Sequence, residues 1–600
     1  MIIFYNSSKK KIRSYLHQES LSAYKNIDDS FYFKGDNNDD ENYFYDEATG
    51  IFIFFKGFFI SNDELSKKSE NKESEIIFYK YIKEGEKFID NLDGFFLIIV
   101  FDSKINTLYV CNDHIGSEDL YLAKKNDTFC ISTDIESLKV ELSNNEICDS
   151  RVNSFFKYIH ARGNETFFKG ISQIMGGQIA KIEKNKLNFI NYLSFDLKKY
   201  ANLKTEEDYI NAYKKIFSQS VHACMQTKEP KIGVALSGGL DSSSVTCVAA
   251  KISTQIIEAY TAEFSELTGI EKRKTFESNF SEDVIKKLNI KHERVDIKNY
   301  GAVSYLKNTV SNDKEPDLLV NGYIHEKIFR RLKKNGTNLY LDGYGGDSII
   351  SHGYNRLHEL GRSFNIIELF NEIKHLYERN GQTPKYFLSL KTYMLSNLVP
   401  SFIHWLYKSN FSKKPQQLVW SKRLKKNNLK NNLYSELKDV YGYYPLQFEG
   451  DSTRVHLKDV TNPIIGLSVR SVKNLAKKFN VKIRFPFLAK SLIELSLCTP
   501  EHLKFKEGVN RYIFRKSVEE LLPESVFRRV TKSDLSPLSQ KEIENLDFGE
   551  IQELIKRYCP DLFDTNYLKQ LFRKNKDYVF EIYQVYSFLK WLSHNDIKIK

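Results

Sequence analysis

One stretch constrains the fold more than any other: KIGVALSGGLDSSSVTCVAAKI, residues 231–252. Residues 231–236 predict a short buried strand, with Ile232, Val234 and Leu236 apolar. Residues 242–252 predict a helix, with Val245, Val248 and Ala249 on one face and hydroxyls in its first turn. The two glycines between them allow backbone conformations that a side chain forbids and let main-chain N–H groups approach a ligand closely. A helix N-terminus at the carboxyl end of a strand favours anions, through its N–H groups and its dipole. The stretch therefore predicts a phosphate site. It is not the common phosphate loop, because the lysine of that loop is missing and Asp241 stands there instead. An acid beside phosphates would repel them unless a cation intervenes, so Asp241 implies a bridging Mg²⁺.

A second stretch, NLYLDGYGGDSIISHG at 338–353, repeats the logic. A predicted strand ends in Asp342, Gly343, Tyr344, Gly345, Gly346 and Asp347. In a parallel sheet, ligands collect at the carboxyl ends of strands. Two glycine-rich turns, each offering an aspartate, can grip one Mg²⁺–nucleotide from two sides. The expected nucleotide contacts are Leu236, Ser237, Gly238, Gly239, Leu240, Asp241 and Ser242 with Asp342 and Gly343, and the expected Mg²⁺ ligands are Asp241 and Asp347. Taken alone, Asp347 also reads as a turn-stabilising residue.

Six hundred residues exceed what one core organises, so at least two domains are expected. Residues 1–200 read as short alternating strands; from 205 to 600, long helical patterns alternate with buried strands, which places a boundary near 200. The Asn-rich tracts 30–46 and 423–433 read as surface loops. The longest apolar run, 51–60, carries Lys56 and is too short to span a membrane. At the N-terminus the charges follow the apolar run, the wrong order for a signal peptide. Seven scattered cysteines without a Cys-x-x-Cys pair argue against a zinc cage or disulfide framework and for a reducing, cytoplasmic setting. The net charge of +12 permits acidic partners without choosing one.

LSGGLDSSSV followed by LDGYGGD resembles the synthetase domain of asparagine synthetases and their relatives, the pyrophosphatase-loop ATP enzymes. Three further segments, 281–297, 481–505 and 510–537, are similar to later parts of that domain, and 91–123 with 165–177 resemble the family's glutaminase domain. The resemblance implies an α/β chain: an N-terminal glutaminase-like (Ntn-type) αββα sandwich over 1–200, then a doubly wound parallel-sheet ATP-pyrophosphatase domain over 205–600. A helical insertion falls at about 355–460. It also implies ATP as cosubstrate, and Lys532 and Asp347 as catalytic residues, with Lys532 neutralising charge on the α-phosphate and carboxylate.

Departures from the family pattern narrow the expectation. Glutamine-using members carry a cysteine as residue two; here it is Ile2, and no cysteine precedes Cys111. Ser348 replaces a glutamate of asparagine synthetases, Asp342 a small residue and Ala489 an aspartate. The cysteine-less subset includes β-lactam synthetases and lasso-peptide cyclases, and the phrasing around 342–360 and 528–537 is more similar to the latter. The implied reaction is macrolactam closure of a small precursor peptide, with a leader-processing protease as second partner, no nucleic acid, no membrane span and room for a homo-oligomer. β-Lactam synthetase-like and ammonia-dependent asparagine synthetase-like chemistry, or a non-catalytic scaffold, are the alternatives. A tRNA-modifying enzyme with this loop is a further alternative, but its sulfur-transfer versions need reactive cysteines and the chain offers no suitable pair. Arg484 reads equally as an anion ligand or a helix brace, and His352 and His358 as bases or structural histidines. Residues 361–450 hold 14 Lys and Arg against 6 Asp and Glu, with Lys422, Arg423, Lys425 and Lys426 clustered, which suits a peptide partner.

Overall fold

In the computed structural model, described residues are 1–6, 25–28, 30–35, 41–60, 72–156, 163–269, 278–309, 314–381, 383–398, 452–529, 535, 537–573 and 578–599. They form two compact units: Met1–Phe195 with Pro463–Arg470, and Asp196–Asn462 with Ser471–Lys600.

The alternating sequence of the first unit builds β1 (Ile2–Asn6), β2 (Lys25–Asp28), β3 (Phe31–Lys34), β4 (Glu41–Asp46), β5 (Ile51–Phe59) and β6 (Gly94–Asp102). It continues with β7 (Thr107–Asn112), β8 (Tyr121–Lys125), β9 (Thr128–Ser132), β10 (Ile171–Gln173), β11 (Gln178–Glu183) and β12 (Lys186–Asn191). One sheet runs β10-β8-β9-β1-β3-β2 and the other β12-β11-β7-β6-β5-β4. Because side chains alternate across a strand, each face has its own core. Ile3, Tyr5, Phe31 and Phe33 meet Phe52, Phe54, Leu97, Ile99 and Phe101 between the sheets. The opposite residues, Ile53, Phe55, Ile98 and Val100, pack against Ile77, Phe78 and Tyr81 of the helix Glu73–Glu84. On the other sheet, the helix Ile135–Leu142 covers β8 and β9. The result is an αββα sandwich. Lys56 is tolerated inside its apolar run because Glu41, its partner across the β4–β5 ladder, lies 3.0 Å away.

The expected loop at 30–46 is instead largely sheet: β3 and β4 occupy it. Its Asn and Asp content misleads, while Phe31, Tyr32 and Phe33 are buried. The tract 423–433 lies outside the described residues.

In the second unit, β13 (Lys231–Ala235), β14 (Ile256–Glu263), β15 (Lys291–Asp296), β16 (Leu339–Leu341) and β17 (Lys482–Arg484) form a parallel sheet of order β15-β14-β13-β16-β17. The order reverses between β13 and β16, and at such a switch point a crevice opens beyond the carboxyl ends of the strands. The helix after β13 spans Leu240–Ile252, starting two residues earlier than the expected Ser242, so Leu240 and Asp241 belong to its first turn. Helical additions at Asn355–Arg362, Ile366–Asn380, Tyr386–Leu398 and Ser452–Val460 bracket residues 399–451, which lie outside the described set with the basic cluster 422–426. Among the described residues, no helix is long and apolar enough to cross a membrane.

Candidate active site

The two glycine-rich turns meet at the switch point. In the first, Gly238 adopts φ 71°, a left-handed conformation that favours glycine. The Ser242 hydroxyl accepts from the Ser237 N–H at 3.1 Å and lies 3.0 Å from the Ser237 hydroxyl, so the turn is tied to the helix it precedes. Leu236 is buried and donates its N–H to Tyr260 O at 2.9 Å. In the second turn, a Cβ on Gly343 would stand 2.7 Å from Ser242 N, and one on Gly346 2.4 Å from Asp241 Cγ. These glycines let the turns touch backbone to backbone. Asp342 accepts the Tyr344 N–H at 2.8 Å, an Asx-type turn that shapes the loop from within.

The turns deliver Asp241 and Asp347 to one cation. Arg511 Nη1 lies 2.7 and 2.8 Å from the two carboxylate oxygens of Asp241 and 2.9 Å from Asp347 Oδ1. Burial opposes the Arg511 charge, but the two carboxylates outweigh it and raise its pKa above the ordinary value. Arg511 is the site residue that sequence reasoning missed. It lies inside a segment quoted for its resemblance, but nothing local in Asn-Arg-Tyr marks it. Four residues on, Arg515 is buried and donates to the carbonyls of Asn510, Phe527 and Arg529 at 3.1, 2.6 and 3.0 Å. Burial, then Arg511 and Arg379, push it down to about 9. The site thus has an acidic side made by two turns and a cationic side made by one helix start. Lys532 lies outside the described residues; Arg515 anchors the chain just before it.

The remaining expected residues divide clearly. Arg484 donates to the carbonyls of Cys224 and Gln226 at 3.1 and 2.8 Å, so it braces the end of the helix Glu206–Cys224. His352 Nε2 stands 3.7 Å from Asp347 Oδ1, at the rim of the site. His358 is buried edge-on to Tyr393. A third histidine, His456, carries no local sequence signal: its Nε2 lies 3.2 Å from Ser348 O and 3.0 Å from Ile349 O, while Nδ1 faces Lys504 Nζ at 3.2 Å. Nζ cannot accept, so Nδ1 is the acceptor and Nε2 carries the proton donated to the short helix Gly346–Ile350. Lys504 in turn pairs with Glu501 at 2.7 Å, all three residues being buried.

These histidines give a pH signature. His358 is pushed down to about 4 by burial and then by Arg362, and His456 well below its ordinary value by burial and then by Lys504. Both are neutral in the fold at neutral pH. Unfolded, each titrates near its ordinary value of 6.5, so below that pH the unfolded chain binds protons that the fold refuses. Their contribution is complete above about pH 6.5 and declines as pH falls toward about 4. The melting temperature is expected to fall over that range, and less steeply in His358→Gln. Equal slopes in variant and parent would contradict the neutral buried histidine.

The family model described as asparagine synthase matches residues 212–593, and one described as a glutamine amidotransferase domain matches 61–193. The chain belongs to the asparagine synthase family. Members of this family are AMP-forming ligases of carbon–nitrogen bonds that use ATP. Among curated relatives, "Asparagine synthetase [glutamine-hydrolyzing] 3" of Bacillus subtilis (strain 168) is 21% identical over 500 residues, covering 80% of this chain and 74% of its own. Its paralogue "Asparagine synthetase [glutamine-hydrolyzing] 1" is 21% identical over 495 residues, covering 81% and 75%. A solved "allosteric regulatory enzyme of purine biosynthesis" covers 50% of this chain and 56% of its own at 8% identity, with a TM-score of 0.19, too slight to carry an argument.

Proposed function

We propose that this asparagine synthase family member adenylates a carboxylate with ATP and Mg²⁺ and lets an amine attack the acyl-adenylate, releasing AMP. The observation that carries the reading is the convergence of Asp241 and Asp347 on a single nitrogen at the switch point. Mg²⁺ fits that geometry. Two carboxylates that both reach one cationic atom can both reach one ion, and magnesium uses few carboxylates beside phosphate oxygens. When bound, the ion would neutralise phosphate charge and favour departure of pyrophosphate. The chain's own residues do the rest: the 236–242 turn orients the phosphates, and Arg511 and Arg515 supply positive potential around them. Lys532, by family resemblance, is the catalytic lysine at the carboxylate.

For the substrate we favour a lasso-type precursor peptide, whose Asp or Glu side chain is adenylated and captured by its own N-terminal amine. A leader-processing protease would act beside it in the cytoplasm. Ser348 stands where asparagine synthetases carry a glutamate, and its carbonyl is held by His456, so this position offers no carboxylate base. The additions within 355–460 are more than a small amino acid needs. The curated relatives, named as glutamine-hydrolyzing asparagine synthetases, favour a second reading, asparagine synthesis, which without a thiol on β1 would draw on ammonia. ATP–pyrophosphate exchange separates the two. Exchange with precursor peptides alone supports the first; exchange with aspartate alone replaces it with the second, and ADP as product overturns both.

Glutamine hydrolysis is expected to stay at background. β1 carries no thiol, and the nearest cysteines in sequence, Cys111 and Cys130, are buried, with Cys130 pushed up to about 12 by burial. Release of glutamate from glutamine above background would count against this.

A further inference from the structure

We infer that Arg511 is a resident cation of the metal site: it competes with Mg²⁺ for Asp241 and Asp347, and it yields to the metal only when phosphates offer it another anionic partner. The inference rests on the proposed ATP chemistry. Its first support is the manner of contact. An arginine ordinarily meets a carboxylate with two nitrogens in a fork. Here Nη1 alone makes all three close contacts, at 2.7, 2.8 and 2.9 Å, and so acts as a point charge. A magnesium ion needs the same oxygens at about 2.0–2.1 Å. The two cations exclude each other.

The second support is how Arg511 is mounted. Its backbone is left-handed, with φ 53° and ψ 35°, at the N-cap of the helix Tyr512–Val518. Such a conformation in a non-glycine residue is uncommon and has to be held by its surroundings. The hairpin of β18 (Phe505–Lys506) and β19 (Val509–Asn510) leads into it, turning through Glu507 and Gly508, both also at positive φ. That turn is clamped by Glu372, buried on the helix Ile366–Asn380, which accepts the Glu507 and Gly508 N–H groups at 3.1 and 2.9 Å. A Cβ on Gly508 would stand 2.5 Å from Leu376 N, so the hairpin sits directly on that helix. The base of the side chain is fixed; its long stem is what can move.

The third support is what Arg511 lacks. Among the described residues its Nε is buried without a hydrogen-bond partner, a cost that a phosphate oxygen would relieve. Charge balance points the same way. Asp241 and Asp347 face Arg511, with Arg515 close enough to be destabilised by it. A lone divalent ion would leave this group strongly positive; the same ion carried by a triphosphate would not. Metal and nucleotide binding are therefore coupled through Arg511, and by linkage each strengthens the other.

The test titrates Mn²⁺ into the full chain without nucleotide and reads free Mn²⁺ by electron paramagnetic resonance. Arg511→Ala and Arg511→Gln are expected to bind Mn²⁺ about tenfold or more tightly than the parent. Adding Asp347→Asn to either should remove the gain. With a non-hydrolysable ATP analogue, the parent should show strong mutual enhancement of Mn²⁺ and nucleotide binding, and the variants much less. Circular dichroism melts keep the comparison to folded protein, and Arg511→Lys, which keeps the charge, should stay near the parent. Folded variants that bind Mn²⁺ no better than the parent overturn the inference. An enzyme inert in pyrophosphate exchange but with this Mn²⁺ pattern would instead sink the reaction and leave the competition standing.

Discussion

Asp241→Asn is expected to lower Mg²⁺-dependent formation of AMP and pyrophosphate by a factor on the order of 10³ or more. The asparagine keeps the shape that Gly346 accommodates, a Cβ there being barred by Asp241 Cγ at 2.4 Å, so packing of the two turns survives. What is lost is one of two negative charges that must meet a cation. The measurement is product analysis by ion exchange on parent and variant at matched ATP, with a circular dichroism spectrum to confirm folding. A folded variant with undiminished turnover would remove Asp241 from the metal site.

Lys504→Ala is expected to be the most destabilising single change near the site. It leaves Glu501 as an unpaired buried charge, and breaking a buried pair in this way costs about 3–5 kcal/mol. It also removes the donor to His456 Nδ1, so the ring loses the contact that fixes its tautomer and its grip on the Ser348 and Ile349 carbonyls. Chemical denaturation followed by tryptophan fluorescence should show one transition moved to lower denaturant. The double variant Lys504→Met with Glu501→Leu should recover much of the loss, since replacing both partners by apolar groups can be nearly neutral. If the single variant unfolds like the parent, the pair is not buried as described.

The contrast between Asp241 and Arg511 shows what a sequence discloses. The strand, the glycines, the hydroxyls and Asp241 fall within a dozen residues, so local rules of turn and helix start suffice to read them. The alternation of helices and strands after residue 205 was legible for the same reason, while the doubly wound parallel sheet followed from the family resemblance. Arg511 reaches Asp241 from 270 positions away, and His456 reaches the Asp347 turn from more than a hundred. Neither carries a local signature, because their roles are made by tertiary approach. The weak clue available was position alone: an arginine three residues past the Gly508 turn, at the start of the helix Tyr512–Val518. The tract 30–46 failed in the other direction. Its composition spoke for a loop, but three successive aromatic residues, alternating between two faces, had cores to fill.

The central sheet is lopsided. On the side of the first turn, β13, β14 and β15 run for 5, 8 and 6 residues, whereas β16 and β17 have 3 each. The first turn is therefore backed by long ladders of main-chain hydrogen bonds. The second, with Asp347, stands on a short ledge steadied by side chains from distant helices, above all His456 and Lys504. Main-chain bonds are indifferent to side-chain identity, while side-chain struts change with every substitution. Amide hydrogens of β16 and β17 should accordingly exchange with solvent sooner than those of β14. Over longer times, the half built on main-chain ladders can stay constant while the half held by side-chain struts drifts, so one side of the crevice is freer to change than the other.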